Sequence, residues 1–366
     1  MKTKIIFILS LFLIFPLSLF AYEASFIFKR DVAIQNALNA AERDYTAEKA
    51  LRNITIELTL EYGFAAKGEQ SFDLMDSEGG LASKLIFPFE GKITVAKGEI
   101  GFGSKFFLGG KFGSSNFKKR TCSDEDWNIY DPTWSEGTDE FIDYQITKQM
   151  EKVKTEFFNV NFYYRLFDLN KEDLKQKHLF LIEDVATNSL LIDRLAFDIF
   201  VGYQYQKNHC RLIDPMMEYI LLDEGSQYYV TGLPDNIGLD SFYKTEYKGP
   251  RLGLRAIGSK DKLTAKISLA YAYLETKAIG WWNLRDLSFW QKGGKGSGLD
   301  VELEAAYALT PHLSLGVGFD LMYRRQNKLK LHAIEAGLPW WDGYRNRVKN
   351  ADSILYYPSV FLKLIW

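Results

Sequence analysis

The sequence predicts an all-β fold, a ten-stranded antiparallel transmembrane β-barrel with a short N-terminal helix. Three observations support this prediction: an apolar leader, a period-two alternation of apolar and polar residues along the rest of the chain, and a last strand that ends on an aromatic residue. Aromatic residues make up 15% of the chain, and transmembrane barrels place aromatic girdles at both membrane interfaces. The mean hydropathy of −0.18 is ordinary for a soluble protein, but a barrel with a polar lumen gives the same weak signal.

The amino terminus has the pattern of a secretory signal peptide. Two lysines precede an almost wholly apolar run over 5–20, and Ala21 offers a small residue for cleavage. The alternative is an uncleaved membrane anchor, which the short length of the run and the break at Pro16 disfavour. We therefore predict a signal peptide over 1–21 and a mature chain that leaves the cytoplasm.

The barrel is assigned to 53–366, after an N-terminal periplasmic helical segment over 22–52 that is rich in Ala and Glu. In "NITIELTLEYGF" at 53–64 the even positions are apolar and most odd positions are polar. Because side chains alternate across a strand, one face can meet lipid and the other the lumen. The other nine predicted strands lie near 84–102, 105–113, 152–167, 194–206, 243–257, 263–274, 299–309, 313–324 and 354–366.

The spacing of these strands predicts short and long connections in alternation. The final strand ends on Trp366, which is typical of the closing strand of a bacterial outer-membrane barrel, and an even strand number leaves both termini in the periplasm. The segments 260–263 and 310–313 are then periplasmic turns, and 168–190 is an insertion at the same end. A soluble β-sandwich, the alternative, requires neither the terminal aromatic nor this asymmetry. The predicted external loops are 65–83, 114–150, 207–241, 275–297 and 327–352.

The second predicted loop contains two acidic residues at a spacing that could bring their carboxylates together. In "CSDEDW" at 122–127, Asp124 and Asp126 are separated by one residue, so on an extended strand their carboxylates share a face. Such a pair could hold a water or a cation. The alternative is a pair of solvated loop residues.

A collinear set of segments resembles the omptin family of outer-membrane endoproteases. The resemblance implies an active site at the extracellular mouth of a ten-stranded barrel, where two carboxylates face an Asp–His pair across a water that the imidazole deprotonates. It implies that Asp124 and Asp126 are the catalytic, water-binding pair and that Glu69 binds a basic substrate side chain. The matching segments are "GEQSFDL" at 68–74, "SKL" at 83–85, "DEDW" at 124–127, "TW" at 133–134, "VGYQYQ" at 201–206, "FYKTEYKGPRLGL" at 242–254, "LRDLSF" at 284–289 and "YALTP" at 307–311.

The Asp–His pair of the family is missing at the expected positions. Counting back from Arg285 without gaps puts Trp282 at the His position and Gly280 at the Asp position of that dyad, while Ala278 replaces a further acid. A general base supplies about 10²–10⁴ in rate, and an indole cannot take a proton from water. We therefore predict a catalytically degenerate omptin-like barrel that uses its extracellular loops to bind a surface partner or peptide. The alternatives are an active omptin-type endopeptidase that cuts near basic residues by Asp-activated water and, from a third class, a small pore.

Two further sets of residues bear on covalent links and cofactors. Cys122 and Cys210 fall on predicted external loops, where an oxidising compartment invites a disulfide; two free thiols too far apart to meet are the alternative. The omptin resemblance implies an exterior basic patch that binds lipopolysaccharide. Lys207 matches one basic position of that patch, but Tyr205 and Glu246 depart from it. We predict no cofactor and no metal site, and lipopolysaccharide dependence is disfavoured.

The predicted barrel also indicates where the protein is located and what it can bind. A net charge of −2 provides no overall field for nucleic acid, which we exclude as a partner. We expect the protein in the bacterial outer membrane with its loops facing outside. Its partners would be outer-membrane lipid and a peptide or extracellular protein ligand.

Overall fold

The computed structural model describes twelve parts of the chain. Both the predicted signal peptide at 1–21 and the predicted helical segment at 22–52 lie outside them, as does most of the predicted insertion at 168–190. Residues Thr55–Trp366 form one compact unit. No helix among the described residues is long and apolar enough to cross a membrane. The described residues are 54–75, 81–118, 120–127, 142–170, 173, 192–213, 218–223, 226–231, 240–283, 286–335, 338–339 and 348–366.

The described chain is almost entirely β-strand, as the alternation predicts. Each predicted strand is present, and most are longer than the apolar pattern alone suggested. The strands are β1 (Ile54–Met75), β2 (Leu81–Phe102), β3 (Phe106–Phe117), β4 (Arg120–Trp127), β5 (Ile142–Asn170), β6 (Arg194–Ile213), β7 (Glu218–Asp223), β8 (Ser226–Thr231), β9 (Asp240–Lys260), β10 (Leu263–Trp282), β11 (Leu287–Thr310), β12 (Leu313–Glu335), β13 (Leu338–Pro339) and β14 (Val348–Ile365).

Ten antiparallel strand positions, here called staves, close into a ring, which confirms the predicted ten-stranded barrel. A stave is one strand, or two strands that follow one another along the same line. β3 and β4 together form one stave, because both lie between β2 and β5 and follow one another along it. The ring closes where β1 pairs with both β2 and β14. There the backbones of Ile56 and Trp366 exchange two hydrogen bonds, of 3.0 and 2.9 Å. The hairpin β7–β8 and the short β13 lie outside the ring.

The two ends of the barrel differ. Three tight turns lie at one end, here called the short-turn end: 103–105, 261–262 and 311–312. The last two confirm the predicted turns at 260–263 and 310–313. At the opposite end, here called the long-strand end, the strands run on through most of the predicted external loops. The prediction of loops there was wrong, because polar residues beyond the apolar band still pair their backbones with the neighbouring strands.

A band of apolar side chains encircles the outside of the barrel between these two ends. Its exposed members alternate with interior residues along every stave, so the outer face matches a lipid-facing surface. Representative members on five staves are Leu60, Val201, Leu252, Tyr271 and Val317.

The lumen at the level of this band is filled by charged side chains. Lys97 Nζ lies 2.7 Å from carboxylate oxygens of Glu61, Glu302 and Glu304. Closer to the short-turn end, Asp198 accepts hydrogen bonds from the Nε atoms of Arg165 and Arg255, each at 2.8 Å. Buried charges are tolerated when they are paired in this way. The ion pairs therefore fill the interior with protein instead of leaving an open channel.

Candidate functional site

The two aspartates of the predicted catalytic pair lie on a paired strand and not on a loop. On β4, Asp124 is opposite Leu85 of β2 and Ile146 of β5, and Asp126 is opposite Ser83 and Tyr144. β4 forms the last part of its stave at the long-strand end of the barrel. β4, here called the first candidate wall, is hydrogen-bonded to β2 on one side and to β5 on the other, so the backbone positions of both aspartates are fixed.

The opposite candidate wall is formed by the end of β10. Gly280 pairs with Tyr243 of β9 and with Phe289 of β11. Three ring atoms of Phe289 lie under 3.0 Å from the point where a Cβ on residue 280 would stand. An acidic side chain cannot be accommodated at this position without moving that ring. Trp282, at the predicted His position, is half-buried and packs against the same apolar residues.

An apolar cluster joins the two walls across the interior. The ring of Tyr243 is 4.5 Å from that of Phe72, and 5.4 Å from both Phe87 of β2 and Phe289 of β11. The phenol of Tyr243 donates to Gln291 Oε1 at 2.9 Å, so its polar end is satisfied while the ring stays buried. Sequence reasoning missed this cluster. The odd positions Leu287, Phe289 and Gln291 face inward together, as on a strand, but they fall within the predicted loop at 275–297.

A layer of hydrogen-bonded polar side chains lies beneath the apolar cluster. Asn208 Nδ2 donates to Gln70 Oε1 at 2.8 Å and to Ser353 Oγ at 3.2 Å. Thr155 Oγ1 donates to Asn208 Oδ1 at 3.0 Å, and Gln70 Nε2 donates to Thr245 Oγ1. These bonds link β1, β5 and β14 to β6, and β9 to β1. The end of the barrel therefore contains an apolar layer over a neutral polar layer, and both are buried.

The described histidines do not lie inside this end of the barrel. His209 of β6 is exposed, with its ring 6.2 Å from Phe242, and the neighbouring Asn208 and Cys210 are the residues that face inward. His332 of β12 is also exposed and stacks on Trp290 at 5.6 Å. His312 belongs to the short-turn end, where its Nδ1 is 3.0 Å from the carbonyl oxygen of Ile365.

The structure separates Glu69 from the interior. Glu69 was predicted on a loop but lies within β1, exposed on the face that points away from the lumen. Gln70 and Phe72, which follow it on the opposite face of the strand, are buried. Its Cα is paired with Ile354, which is also exposed. This placement does not bring Glu69 to the inner face of the barrel.

Cys122 and Cys210 do not form a disulfide, and both are completely buried in the apolar cluster. They lie on strands β4 and β6, so their prediction as loop residues was wrong. Cys122 is paired with Lys148 and Cys210 with Val153 of the intervening β5, an offset of five residues. That offset is roughly 14–17 Å along the strand, whereas a disulfide needs Cα atoms about 4.4–6.8 Å apart. Burial raises the pKa of the Cys210 thiol well above its usual value, and charge repulsion from Cys122, which lies in the same apolar cluster, adds to this.

Among the described residues at this end, neither metal coordination nor titration points to further chemistry. Among the described residues, no group of three or more His, Cys, Asp or Glu side chains is arranged to hold a metal ion. At the rim, Arg211 donates to Asp240 at 2.9 and 3.1 Å, which lowers the pKa of that exposed carboxyl. The long-strand end thus consists of a buried apolar layer inside the barrel, surrounded by the exposed outer faces of the strand ends.

These features define a class: a closed ten-stranded antiparallel barrel of the outer-membrane type with an omptin-like fold. The outer membrane protease OmpT from Escherichia coli is similar at a TM-score of 0.65 and 13% identity, over 85% of this chain and 97% of that one. The translocator domain of the autotransporter NalP from Neisseria meningitidis matches at a TM-score of 0.29 and 8% identity, over 91% and 98% of the two chains. No family model and no curated protein sequence matches the chain.

Proposed function

We propose that this protein is a bacterial outer-membrane barrel that has lost peptidase chemistry and binds a peptide or surface partner with its long-strand end. In this proposal that end faces the outside of the cell. The single observation that carries it is the ring of Phe289, which occupies the space that a side chain on Gly280 would need. A wall that carries no carboxylate at position 280 and an indole instead of an imidazole at position 282 cannot supply an oriented general base.

The outer surface of the strand ends supports a binding role. Above the apolar band, Trp281 of β10 is 6.4 Å from Phe242 of β9, and Trp290 of β11 stacks on His332 of β12. Ile334 of β12 is exposed beside them. Aromatic side chains are enriched where proteins recognise partners, since they bury much area at little cost in conformational entropy.

The second candidate function is an active endopeptidase that acts near basic residues of a peptide. It is favoured by β4, because the backbone positions of Asp124 and Asp126 are held at the barrel end where the omptin resemblance places catalysis. It would require a base from outside the Gly280–Trp282 segment. His209 and His332 would have to leave the outer face to serve, and their ring contacts with Phe242 and Trp290 oppose this.

Both functions are tested with one set of fluorogenic peptides that contain paired basic residues. The refolded full chain, Asp124→Asn and Asp126→Asn are incubated with these peptides over a range of pH, with and without added lipid. We expect the unsubstituted chain to cleave the peptides no faster than either variant does. We also expect the fluorescence anisotropy of the peptide to rise when it binds. Turnover that disappears in both variants would establish the endopeptidase. A peptide that is neither bound nor cut would refute peptide binding and leave a different surface partner to be sought.

The binding role of the outer face is tested with one substitution among its aromatic residues and one control within the apolar band. Trp281→Ala removes an aromatic side chain from the outer face and leaves the interior cluster intact, since the inward-facing neighbours are Gly280 and Trp282. We expect it to reduce binding of the labelled peptide. Leu252→Ala, within the apolar band, should leave binding unchanged.

A further inference from the structure

A row of three lysines crosses the outer face of β10, β11 and β12, on the long-strand side of the apolar band. Lys277 of β10 is directly opposite Lys292 of β11, and Lys292 is directly opposite Lys330 of β12. All three side chains are exposed, and within the described part of the chain none of their ammonium groups forms an ion pair. Like charges directly opposite one another destabilise a sheet, so this row, here called the lysine row, is unfavourable unless an anion compensates it.

The same row continues onto β9, β6 and β5, but there its charges alternate in sign. Glu246 of β9 is opposite both Lys277 and Lys207 of β6. Lys207 is in turn opposite Glu156 of β5. Glu246 also forms a 2.9 Å ion pair with Lys244. Charges of both signs therefore meet on β5, β6 and β9, whereas β10, β11 and β12 carry only positive charges in this row.

An irregularity in β11 and β12 adds two more lysines between the lysine row and the apolar band. Lys295 of β11 and Lys328 of β12 are exposed, and the regular pairing of the two strands is interrupted between Lys292 and Lys295. Lys328 has a φ of 59°, which is uncommon for a residue with a side chain. Irregularities of this kind re-aim side chains on a sheet. Positive charge is thus concentrated on the outer face of three neighbouring staves.

The lysine row lies where the apolar outer surface gives way to polar residues. On β10, Lys277 is four residues beyond Tyr273, an exposed aromatic side chain. For a strand tilted by about 40°, this separation is roughly 10 Å along the barrel axis. The polar layer of a bilayer is roughly 5–8 Å thick on each side of the hydrocarbon core, and the long stem of a lysine lets its ammonium group reach back toward that layer. The ammonium groups of the row are therefore at the depth of lipid headgroups.

We propose that the lysine row binds the phosphate groups of anionic lipids in the leaflet around the long-strand end. Each phosphate accepts hydrogen bonds from one or two ammonium groups, while the acyl chains of the same lipid lie against the apolar band. The bound phosphates offset the repulsion between the lysines. This surface is separate from Lys207, Tyr205 and Glu246, the positions to which the omptin resemblance points, because those residues lie on β6 and β9. It is also independent of the peptide binding proposed above.

The test reconstitutes the refolded full chain into vesicles that contain equal amounts of phosphatidylcholine and phosphatidylglycerol. Lipids that stay bound after gentle extraction are counted by native mass spectrometry. We expect the bound lipid to be enriched in phosphatidylglycerol and the enrichment to fall as ionic strength rises, because salt screens exposed charges. Equal retention of the two lipids would overturn the proposal. Loss of the enrichment when inorganic phosphate is added at constant ionic strength would overturn it too, since the row would then bind free phosphate.

Matched variants locate the effect on the lysine row. Lys292→Gln removes the central charge and should lower the enrichment about fivefold, whereas Lys292→Arg keeps the charge and should preserve it. The control is Lys207→Gln, in the part of the row where the charges alternate. It is three strand spacings away, roughly 14 Å, and so beyond the Debye length of about 10 Å at 0.1 M salt. Equal losses in Lys292→Gln and Lys207→Gln would refute the assignment.

A second measurement is independent of lipid counting. In a neutral detergent, Lys292→Gln should raise the midpoint of urea unfolding, because it relieves the repulsion between neighbouring lysines. In phosphatidylglycerol the same substitution should lower the midpoint, because a lipid that binds only the folded barrel stabilises it by mass action. Midpoints that shift in the same direction in both media would contradict the proposal. An acidic peptide that binds the unsubstituted chain but not Lys292→Gln, without any lipid enrichment, would assign the row to a protein partner and overturn it.

Discussion

Lys97 of β2 and Glu304 of β11 form a 2.7 Å ion pair across the lumen, between staves on opposite sides of the ring. The same ammonium is 2.7 Å from Glu61 and Glu302. One ammonium thus forms ion pairs with carboxylates from two sides of the barrel. The lumen is organised around this lysine.

Replacement of Lys97 should strongly destabilise the barrel. Lys97→Met leaves buried carboxylates without their shared cation, and the loss of one partner of a buried ion pair costs about 3–5 kcal/mol. The free energy of unfolding, measured in urea, should fall by that amount. The control is Lys92→Met on the same strand, where the exposed ammonium is 5.9 Å from the ring of Tyr62. It should change stability by less than about 0.5 kcal/mol.

The filled lumen should prevent ion conduction. A barrel of about ten strands has an interior largely occupied by side chains, and here charged pairs and an apolar cluster occupy it in successive layers. In planar bilayers, the purified protein should give no steady current steps. Regular conductance steps from the folded barrel would contradict this and favour a pore.

Substitution of Gly280 by a larger residue should destabilise the barrel, because the ring of Phe289 occupies the space that a side chain would need. Gly280→Ala forces a methyl group into that ring and should cost about 1–3 kcal/mol of stability. Phe289→Ala removes the obstacle, so the double variant should recover part of the loss, with a coupling of about 1 kcal/mol in a double-mutant cycle. Gly110→Ala is the matched control, since its nearest neighbour would be Asn159 O at an ordinary 3.7 Å. Additive costs at 280 and 289 would show that the two positions do not interact.

The two cysteines should be unreactive in the folded protein. Because burial raises the pKa of Cys210, little thiolate forms near pH 8.5, where a free cysteine titrates. A thiol reagent at that pH should label neither cysteine in the folded barrel and both after unfolding in denaturant. Electrophoresis without reductant should show no loop-closing shift. A shift that reductant reverses would indicate a disulfide between Cys122 and Cys210.

The lipid-facing staves could be predicted from the sequence because the bilayer enforces alternation. In 53–64, side chains such as Leu58 and Leu60 must meet lipid while Thr59 and Glu61 face the lumen, and the structure buries both polar residues. Beyond the band, water replaces lipid and the outer face tolerates polar residues. The alternation then becomes weak, and paired strand was mistaken for loop at Glu69, Cys122 and Cys210.

The candidate site shows a further limit of sequence reasoning. An ungapped comparison could find that Gly280 and Trp282 carry no acid and no imidazole, since this depends on residue identity alone. It could not show that Phe289 fills the vacated space, because that contact joins two strands and depends on their register. The ion pairs of Asp300 with Arg251 and Arg324 could not be foreseen either, since the two arginines are 73 positions apart and meet only when the ring is closed.

The backbone bonds between Ile56 and Trp366 bear on how the molecule is made. The first stave, β1, has no neighbour on one side until β14, the last of the ten staves in chain order, has been synthesised. Until then both margins of the unfinished sheet offer unpaired amides and carbonyls to any other strand. Closure of the ring must therefore follow the synthesis of β14, with the polypeptide protected from self-association until then, and deletion of a few residues around Trp366 should harm production far more than their small number suggests.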